Sequence, residues 1–193
     1  MTYDPALGTT PGLPDDAFEH DGLITKRHVR AGAMAYLRPT PGALLWDLGA
    51  GSGAVGIEWA LAAEGARAIG VEAKDHRLDR ARANTETFGV ADRVELRAGR
   101  TADLIADLPA PDAIFIGGGA STEIIEAGWQ ALKPGGRFVV HAVTLETEQI
   151  AIAAYRAHGG DLNRITVEAI EPIGTYLGWK ALRPVVQWAA TKV

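Results

Sequence analysis

The sequence contains no cysteine among its 193 residues. That excludes disulfide bridges, thiolate metal ligands and a cysteine nucleophile, and it fits a reducing, cytoplasmic setting. No stretch approaches the roughly 18 consecutive apolar residues of a membrane helix, so no membrane partner is expected. Residues 1–21 lack a basic start followed by an apolar run, so no secretory signal is expected. Basic residues are in deficit: 19 Lys and Arg stand against 24 Asp and Glu, for a net charge of −5. Nucleic-acid-binding domains usually present a basic face, so no nucleic-acid partner is expected. His20, His76 and His158 lie far apart at spacings that suit no metal, and no metal site is expected.

What is present is ordinary for a globular domain, with 47% hydrophobic and 22% charged residues. The length suits one domain over residues 1–193, with an arm over about residues 1–22 punctuated by Pro5, Pro11 and Pro14. Thr25 is placed to cap a helix from Lys26 to Leu37. Its basic start (Lys26, Arg27, His28, Arg30) reads either as a solvated turn or as a dock for an acidic small molecule. From Ala43 to His158 apolar runs of strand length alternate with helical stretches, giving five βα units. The later Ile165, Val167 and Ala169 alternate with polar neighbours, predicting an edge or antiparallel strand. Val185–Ala190 predicts a last strand, with a long loop over Glu171–Pro184 between the two. The expected fold is α/β: a doubly wound, mostly parallel seven-stranded sheet with helices on both faces. Ligands in such sheets bind beyond the carboxyl ends of the strands.

The strongest local signal follows the first strand: Trp46-Asp47-Leu48-Gly49-Ala50-Gly51-Ser52-Gly53-Ala54-Val55-Gly56. Glycines at alternate positions let the backbone turn sharply and approach a ligand. The spacing departs from the Gly-x-Gly-x-x-Gly of dinucleotide sites. Asp47 can either hold a cationic amino group or order the loop through backbone N–H groups. Glu72 ends the second strand, where an acid accepts ribose hydroxyls. The fourth strand ends in Gly117-Gly118-Gly119, which supplies neither a base nor a metal ligand but leaves room.

Over Ala43–Val143 these features resemble the class I methyltransferases that use S-adenosylmethionine (SAM). The resemblance implies that Gly49, Ala50, Gly51, Ser52 and Gly53 wrap the amino-acid end of SAM and that Glu72 holds its ribose. It also sets Ala98-Gly99-Arg100-Thr101 beside the adenine, with Thr101 or the backbone as the contact. A more particular resemblance spans nearly the whole chain. Gly12-Leu13-Pro14-Asp15-Asp16-Ala17-Phe18, Leu23-Ile24-Thr25-Lys26-Arg27, Leu132-Lys133-Pro134-Gly135-Gly136-Arg137, Thr144-Leu145-Glu146-Thr147 and Lys180-Ala181-Leu182-Arg183-Pro184-Val185 are similar to the decarboxylating precorrin methyltransferases of cobalamin biosynthesis. Arg183 departs from the Asn that the family often has.

That resemblance implies methylation of carbon 15 of a precorrin-6 tetrapyrrole, with loss of carbon dioxide from the acetate on carbon 12. It implies that Thr25 contacts SAM, that the chain is either a whole protein or half of an enzyme whose other half methylates carbon 5, and that the protein is a homotetramer. Trp179 and Trp188 are candidates for such an interface, or for the core. A polycarboxylate substrate calls for cations; Lys26, Arg27, Arg100, Lys180 and Arg183 are the candidates, beside Gly117, Gly118 and Gly119. His141 and Glu146 are candidate catalytic proton handlers. Two other readings compete. An RNA adenine methyltransferase calls for a basic face and an Asn/Asp-Pro-Pro-aromatic motif after strand four. An NAD-dependent oxidoreductase calls for the dinucleotide spacing and a Tyr-Lys or Cys pair. A SAM-binding domain without activity is a third.

Overall fold

A computed structural model describes residues 7–193; the Pro5 end of the expected arm lies outside them. Strand β1 (Leu44–Leu48) sets the frame, being buried at every position. Leu45 packs with Met34, Ile57 and Trp59 on one side, and Leu44, Trp46 and Leu48 pack with Ile105 and Ile125 on the other. A strand buried on both faces belongs at the centre of a parallel sheet. The chain continues through α2 (Ala54–Ala62), β2 (Arg67–Glu72), α3 (Asp75–Thr87), β3 (Val94–Ala98), α4 (Thr101–Leu104), β4 (Ala113–Ile116), α5 (Thr122–Ala131), β5 (Arg137–Ala142) and α6 (Leu145–His158), with α1 (Arg27–Leu37) preceding β1. Strands β6 (Asp161–Ile165), β7 (Glu168–Ile173), β8 (Tyr176–Ala181) and β9 (Val185–Thr191) complete it.

The main sheet has seven strands in the order β3-β2-β1-β4-β5-β9-β6. Its first five are parallel, and β9 runs antiparallel between β5 and β6. Helices α1, α2 and α3 cover one face and α4, α5 and α6 the other. The winding reverses between β1 and β4, which opens a crevice at their carboxyl ends. Two buried indoles tie β1 and β9 to neighbouring loops. Trp46 Nε1 donates to the Pro109 carbonyl at 3.0 Å, and Trp188 Nε1 to the Gly159 carbonyl at 2.9 Å. Trp188 is therefore a core residue, whereas Trp179 is exposed.

The structure departs from the sequence reading in three places. Helix α1 starts at Arg27 with Lys26 as its N-cap, and Thr25 makes no capping bond. The Thr25 hydroxyl instead sits 3.5 Å from where a Cβ on Gly117 would lie, and the Thr25 carbonyl accepts from Arg30 Nη1. Second, the strand expected around Ile165–Ala169 is two strands. One, β6, belongs to the main sheet; β7 pairs with β8 in a separate hairpin that replaces the expected loop. Its two-residue turn, Gly174–Thr175, needs the positive φ of 61° that Gly174 adopts.

Third, the arm beyond residue 6 is docked. Leu13 and Phe18 are buried, and Phe18 stacks on Phe88 at 4.7 Å. The docking rests on a buried ion pair, Arg30 Nε to Glu58 Oε1 at 2.6 Å, with both side chains almost wholly out of water. Glu58 also accepts the N–H groups of Gly12 and Leu13 at 2.8 and 3.0 Å. Arg30 Nη2 donates to the Leu13 carbonyl at 2.6 Å, and Nη1 reaches Asp15 Oδ1 at 3.2 Å. Removing one partner of such a pair leaves an uncompensated charge, which typically costs about 3–5 kcal/mol. Arg30→Met is expected to lower unfolding stability by about that amount and to expose residues 12–18 to protease. Urea denaturation with limited proteolysis checks this; a loss under about 1 kcal/mol would show that the pair does not hold the arm.

Candidate active site

The crevice at the switch point is a cavity of about 670 Å³, in the range of small-molecule sites. One end is built by β1 and β2. Gly49, Gly51 and Gly53 have φ of 80°, 59° and 75°, values that only glycine adopts without strain. They fold the chain into a loop before α2 begins. Gly49 and Ala50 donate N–H bonds to the Val71 carbonyl, both at 2.9 Å. Glu72 Oε2 accepts from Gly51 at 2.9 Å, and its Oε1 accepts from Lys74 at 2.9 Å. Asp47 Oδ2 accepts from Gly56 at 3.0 Å, so the structure uses this acid to order the loop. Asp47 is buried, which pushes its carboxyl up to about 7; the Gly56 bond opposes that and the Glu72 charge adds to it. Two carboxylates at one end make a receptor for a cation.

Residues 22–25 roof this end. The Leu23 carbonyl oxygen lies 3.9 Å from where a Cβ on Gly51 would stand. On one side the roof is fixed by the Arg30 network. On the other, Asp21 Oδ2 meets Arg77 Nε at 2.8 Å, His76 Nε2 at 3.6 Å and Arg80 Nη1 at 3.7 Å. The Arg77 bond, the Leu23 N–H and the neighbouring cations hold the Asp21 carboxyl well below the usual carboxylate range.

The other end is basic and apolar: Lys26, His28 and Val29 stand at the start of α1, with Val167, Leu182 and Arg183 among the residues completing this end. Between the ends lie Gly117, Gly118 and Gly119, with Phe115 and His141 also in the lining. An added Cβ at Gly118 or Gly119 would meet nothing within 4 Å, so this loop leaves open space. His141 is buried; its Nε2 bonds Gln187 Oε1 at 2.9 Å and its ring meets Phe115 edge-on. Burial pushes its pKa down to about 4, against the Gln187 bond, so the ring is neutral near pH 7.

Of the sequence candidates, the cavity gathers Thr25, Lys26, Asp47, Gly49, Ala50, Gly51, Ser52, Glu72, Gly117, Gly118, Gly119, His141 and Arg183. Gly53, Arg27, Arg100, Thr101, Lys180 and Glu146 do not line it. Gly53 is the N-cap of α2. Arg100 and Thr101 are the N-cap and first residue of α4. Arg27 begins α1, its N–H bonding Asp15 at 2.9 Å. Lys180 is exposed on β8, paired with Glu171 at 2.7 Å. Glu146 is exposed in the first turn of α6, its carboxyl held low by its own N–H and by Thr144. Sequence reasoning missed Gln187, Arg77 and the lining role of Leu23, and named His28 only within the basic stretch read as a solvated turn or an acidic dock. Only the basic stretch around His28 offered a signal.

A doubly wound sheet of this order, with a glycine loop after β1 and an acid ending β2, is the frame of the class I SAM-dependent methyltransferases. A SAM-dependent O-methyltransferase of Thermotoga maritima shares the fold at a TM-score of 0.69 and 21% identity, covering 88% of this chain and 66% of that one. The family model described as the precorrin methyltransferase domain matches residues 16–192, and the chain belongs to that family. A "Precorrin-6Y C(5,15)-methyltransferase [decarboxylating]" of Sinorhizobium is 46% identical over 96% of this chain, which spans only 45% of that relative's length. A "Probable cobalt-precorrin-6B C(15)-methyltransferase (decarboxylating)" of Pyrobaculum calidifontis is 38% identical, with 91% of this chain and 93% of the relative covered. The C-terminal domain of precorrin-6Y C5,15-methyltransferase from Rhodobacter capsulatus superposes with a TM-score of 0.91 at 44% identity, covering 96% of this chain and all of that one.

The acidic end fits SAM, whose ammonium and sulfonium are both cationic. A cation beside Asp47 favours the ionised carboxylate, so binding near neutral pH releases a proton. SAM affinity is therefore expected to fall about tenfold between pH 8 and pH 6 as Asp47 protonates. In Asp47→Asn the profile should flatten. Calorimetry across that range checks it; a flat wild-type profile would remove Asp47 from the binding electrostatics.

Proposed function

We propose that this chain transfers a methyl group from SAM to carbon 15 of a precorrin-6 macrocycle and removes carbon dioxide from the acetate on carbon 12. The observation that carries this reading is the two-ended cavity: acidic under the glycine loop, basic at the start of α1 and at Arg183, with bare glycines between. When bound, SAM supplies an electrophilic methyl on a positive sulfur that leaves as a neutral thioether. Gly49, Ala50, Gly51 and Ser52 would hold its amino-acid end, Glu72 its ribose, and Thr25 would close over it.

A meso carbon between pyrrole-type rings is already electron-rich. The protein has to aim it and exclude water, which is where positioning lowers a barrier. Gly117–Gly119 leave room for a flat ring, and residues 22–25 shield the acidic end. Lys26 and Arg183 would hold ring carboxylates, Arg183 in the bidentate manner of a guanidinium. Arg27, Arg100, Thr101 and Lys180 remain candidates only for contacts beyond the cavity.

The same reading includes a homotetramer in the cytoplasm, working with a carbon-5 methyltransferase domain in a fused parent or beside it. The β7–β8 hairpin supports the assembly, since it holds Ile170, Ile173, Tyr176, Leu177 and Trp179 in water. Exposed apolar patches of this kind mark interaction sites. Among the described residues no helix is long and apolar enough to cross a membrane.

Three measurements test these points. With SAM and the precorrin substrate, one methyl and one carbon dioxide are expected per turnover; RNA accepting the methyl instead would overturn the reading. Arg183→Ala is expected to raise the macrocycle KM about tenfold to a hundredfold, the worth of a lost charge-assisted bond, while the SAM Kd stays unchanged. Equal loss of both affinities would count against Arg183 as a substrate contact. Light scattering should give a tetramer for the wild type and smaller species for Trp179→Asp.

A further inference from the structure

Replacing a ring acetate by a methyl group needs a proton as well as the loss of carbon dioxide. The carbon–carbon bond breaks, its electron pair enters the conjugated ring, and the former methylene carbon takes up H⁺ to become methyl. The site must supply that proton without blocking the methyl donor.

Most dissociable groups lining the cavity are already engaged. Asp47 and Glu72 accept backbone N–H bonds beneath the glycine loop. Arg77 is bound to Asp21. His141 is sealed against Gln187 and lacks a spare proton near neutral pH. Lys26 stands 3.7 Å from Asp15. Arg183 is a guanidinium and does not give up a proton. His28 differs from all of these. It lies in the first turn of α1, lines the basic end with Lys26 and Arg183, and its side chain makes no hydrogen bond or ion pair with any described residue. It is also exposed, so water can recharge it after each turnover. Imidazole is the side chain suited to proton transfer near neutrality.

We propose that His28 is a catalytic acid, giving its proton to the carbon that loses carbon dioxide while Lys26 and Arg183 hold neighbouring carboxylates. The proposal rests on the decarboxylating reading above. The step balances: carboxylate leaves as carbon dioxide, its electron pair enters the ring, and the His28 proton reaches carbon. His28 then takes back a proton from solvent.

The test uses the full chain, SAM labelled in its methyl, and macrocycle labelled in the carbon-12 acetate carboxyl. In His28→Gln, methyl incorporation is expected within about threefold of wild type. Carbon dioxide release should slow about a hundredfold, the usual contribution of a positioned acid. In His28→Ala, added imidazole should restore release, since the vacated position opens to solvent. Unchanged release in His28→Gln would overturn the proposal and make water the donor. Slow release that imidazole fails to restore would also overturn it, giving His28 a holding role only. Wild-type protein that binds SAM but transfers no methyl to the macrocycle would sink the functional reading itself, a result distinct from both.

Discussion

Two backbone N–H groups, on Gly51 and Gly56, decide where the rest of the site can lie. Each points at a carboxylate, Glu72 and Asp47 respectively. The carboxylates are in place because β1 and β2 pair in register, with Asp47 beside Gly70 and Leu48 beside Val71. Gly70 is part of the same arrangement. An added Cβ there would stand 2.8 Å from Leu96 Cδ1's partner methyl, Cδ2, and 3.1 Å from Ala50 Cβ, so a side chain on β2 would push the loop off its seat. The cost is the burial of Asp47, to which the Glu72 charge adds a smaller part, and Asp47 shows it by holding its proton up to about pH 7. Without ligand, the folded protein thus binds a proton that the unfolded chain releases above about pH 4, and stability falls as pH rises toward 7. A cation entering the cavity relieves that penalty. Binding and loop order draw on the same electrostatics.

The buried Arg30–Glu58 pair does for the roof what the glycine loop does for the floor. A buried ion pair is weak evidence for stability when compared with apolar packing of the same volume. Its contribution here is location. Arg30 reaches the carbonyls of Leu13 and Thr25 as well as Glu58 and Asp15, so one guanidinium ties residues 13–25 to α1 and α2. The opposite anchor, Asp21 with Arg77, is more accessible to solvent. Exposed pairs are weak and screened by salt. The roof is therefore fixed firmly near Thr25 and loosely near Asp21, with Gly22 at a φ of 92° beside the loose end. That asymmetry suits a segment that must admit a cofactor and then exclude water.

The sheet, the switch point and the glycine loop were legible because each depends on neighbours in sequence. A strand of apolar residues followed by alternate glycines carries its own instructions. The acid at Glu72 was legible from its distance to that loop. What stayed hidden depends on residues far apart. Arg30 and Glu58 are 28 positions apart, and His141 and Gln187 are 46 apart; no periodicity marks such partners. The β7–β8 hairpin was missed for another reason. Its residues stand almost entirely in water, so burial imposes no alternation on them, and only the Gly174 turn carries a local signal. Thr25 was misassigned as a cap because its residue type fits that position, while tertiary contact with the β4 loop claims it instead.

The division of the cavity into an acidic and a basic end has a chemical consequence. A strong nucleophile placed between them would compete with the substrate carbon for an electrophilic methyl. The glycines after β4 carry no side chain there at all, and His141, which also lines the cavity, is buried and bonded to Gln187. In the proposed reaction, positive charge on the donor would be met by Asp47 and Glu72, and negative charge on a polycarboxylate by Lys26 and Arg183. The two sets of charges would draw their partners to opposite ends and leave the transfer zone electrically plain. In that reaction orientation, rather than a base, would carry the methyl step, and acid chemistry would be confined to the end where the acetate would lie.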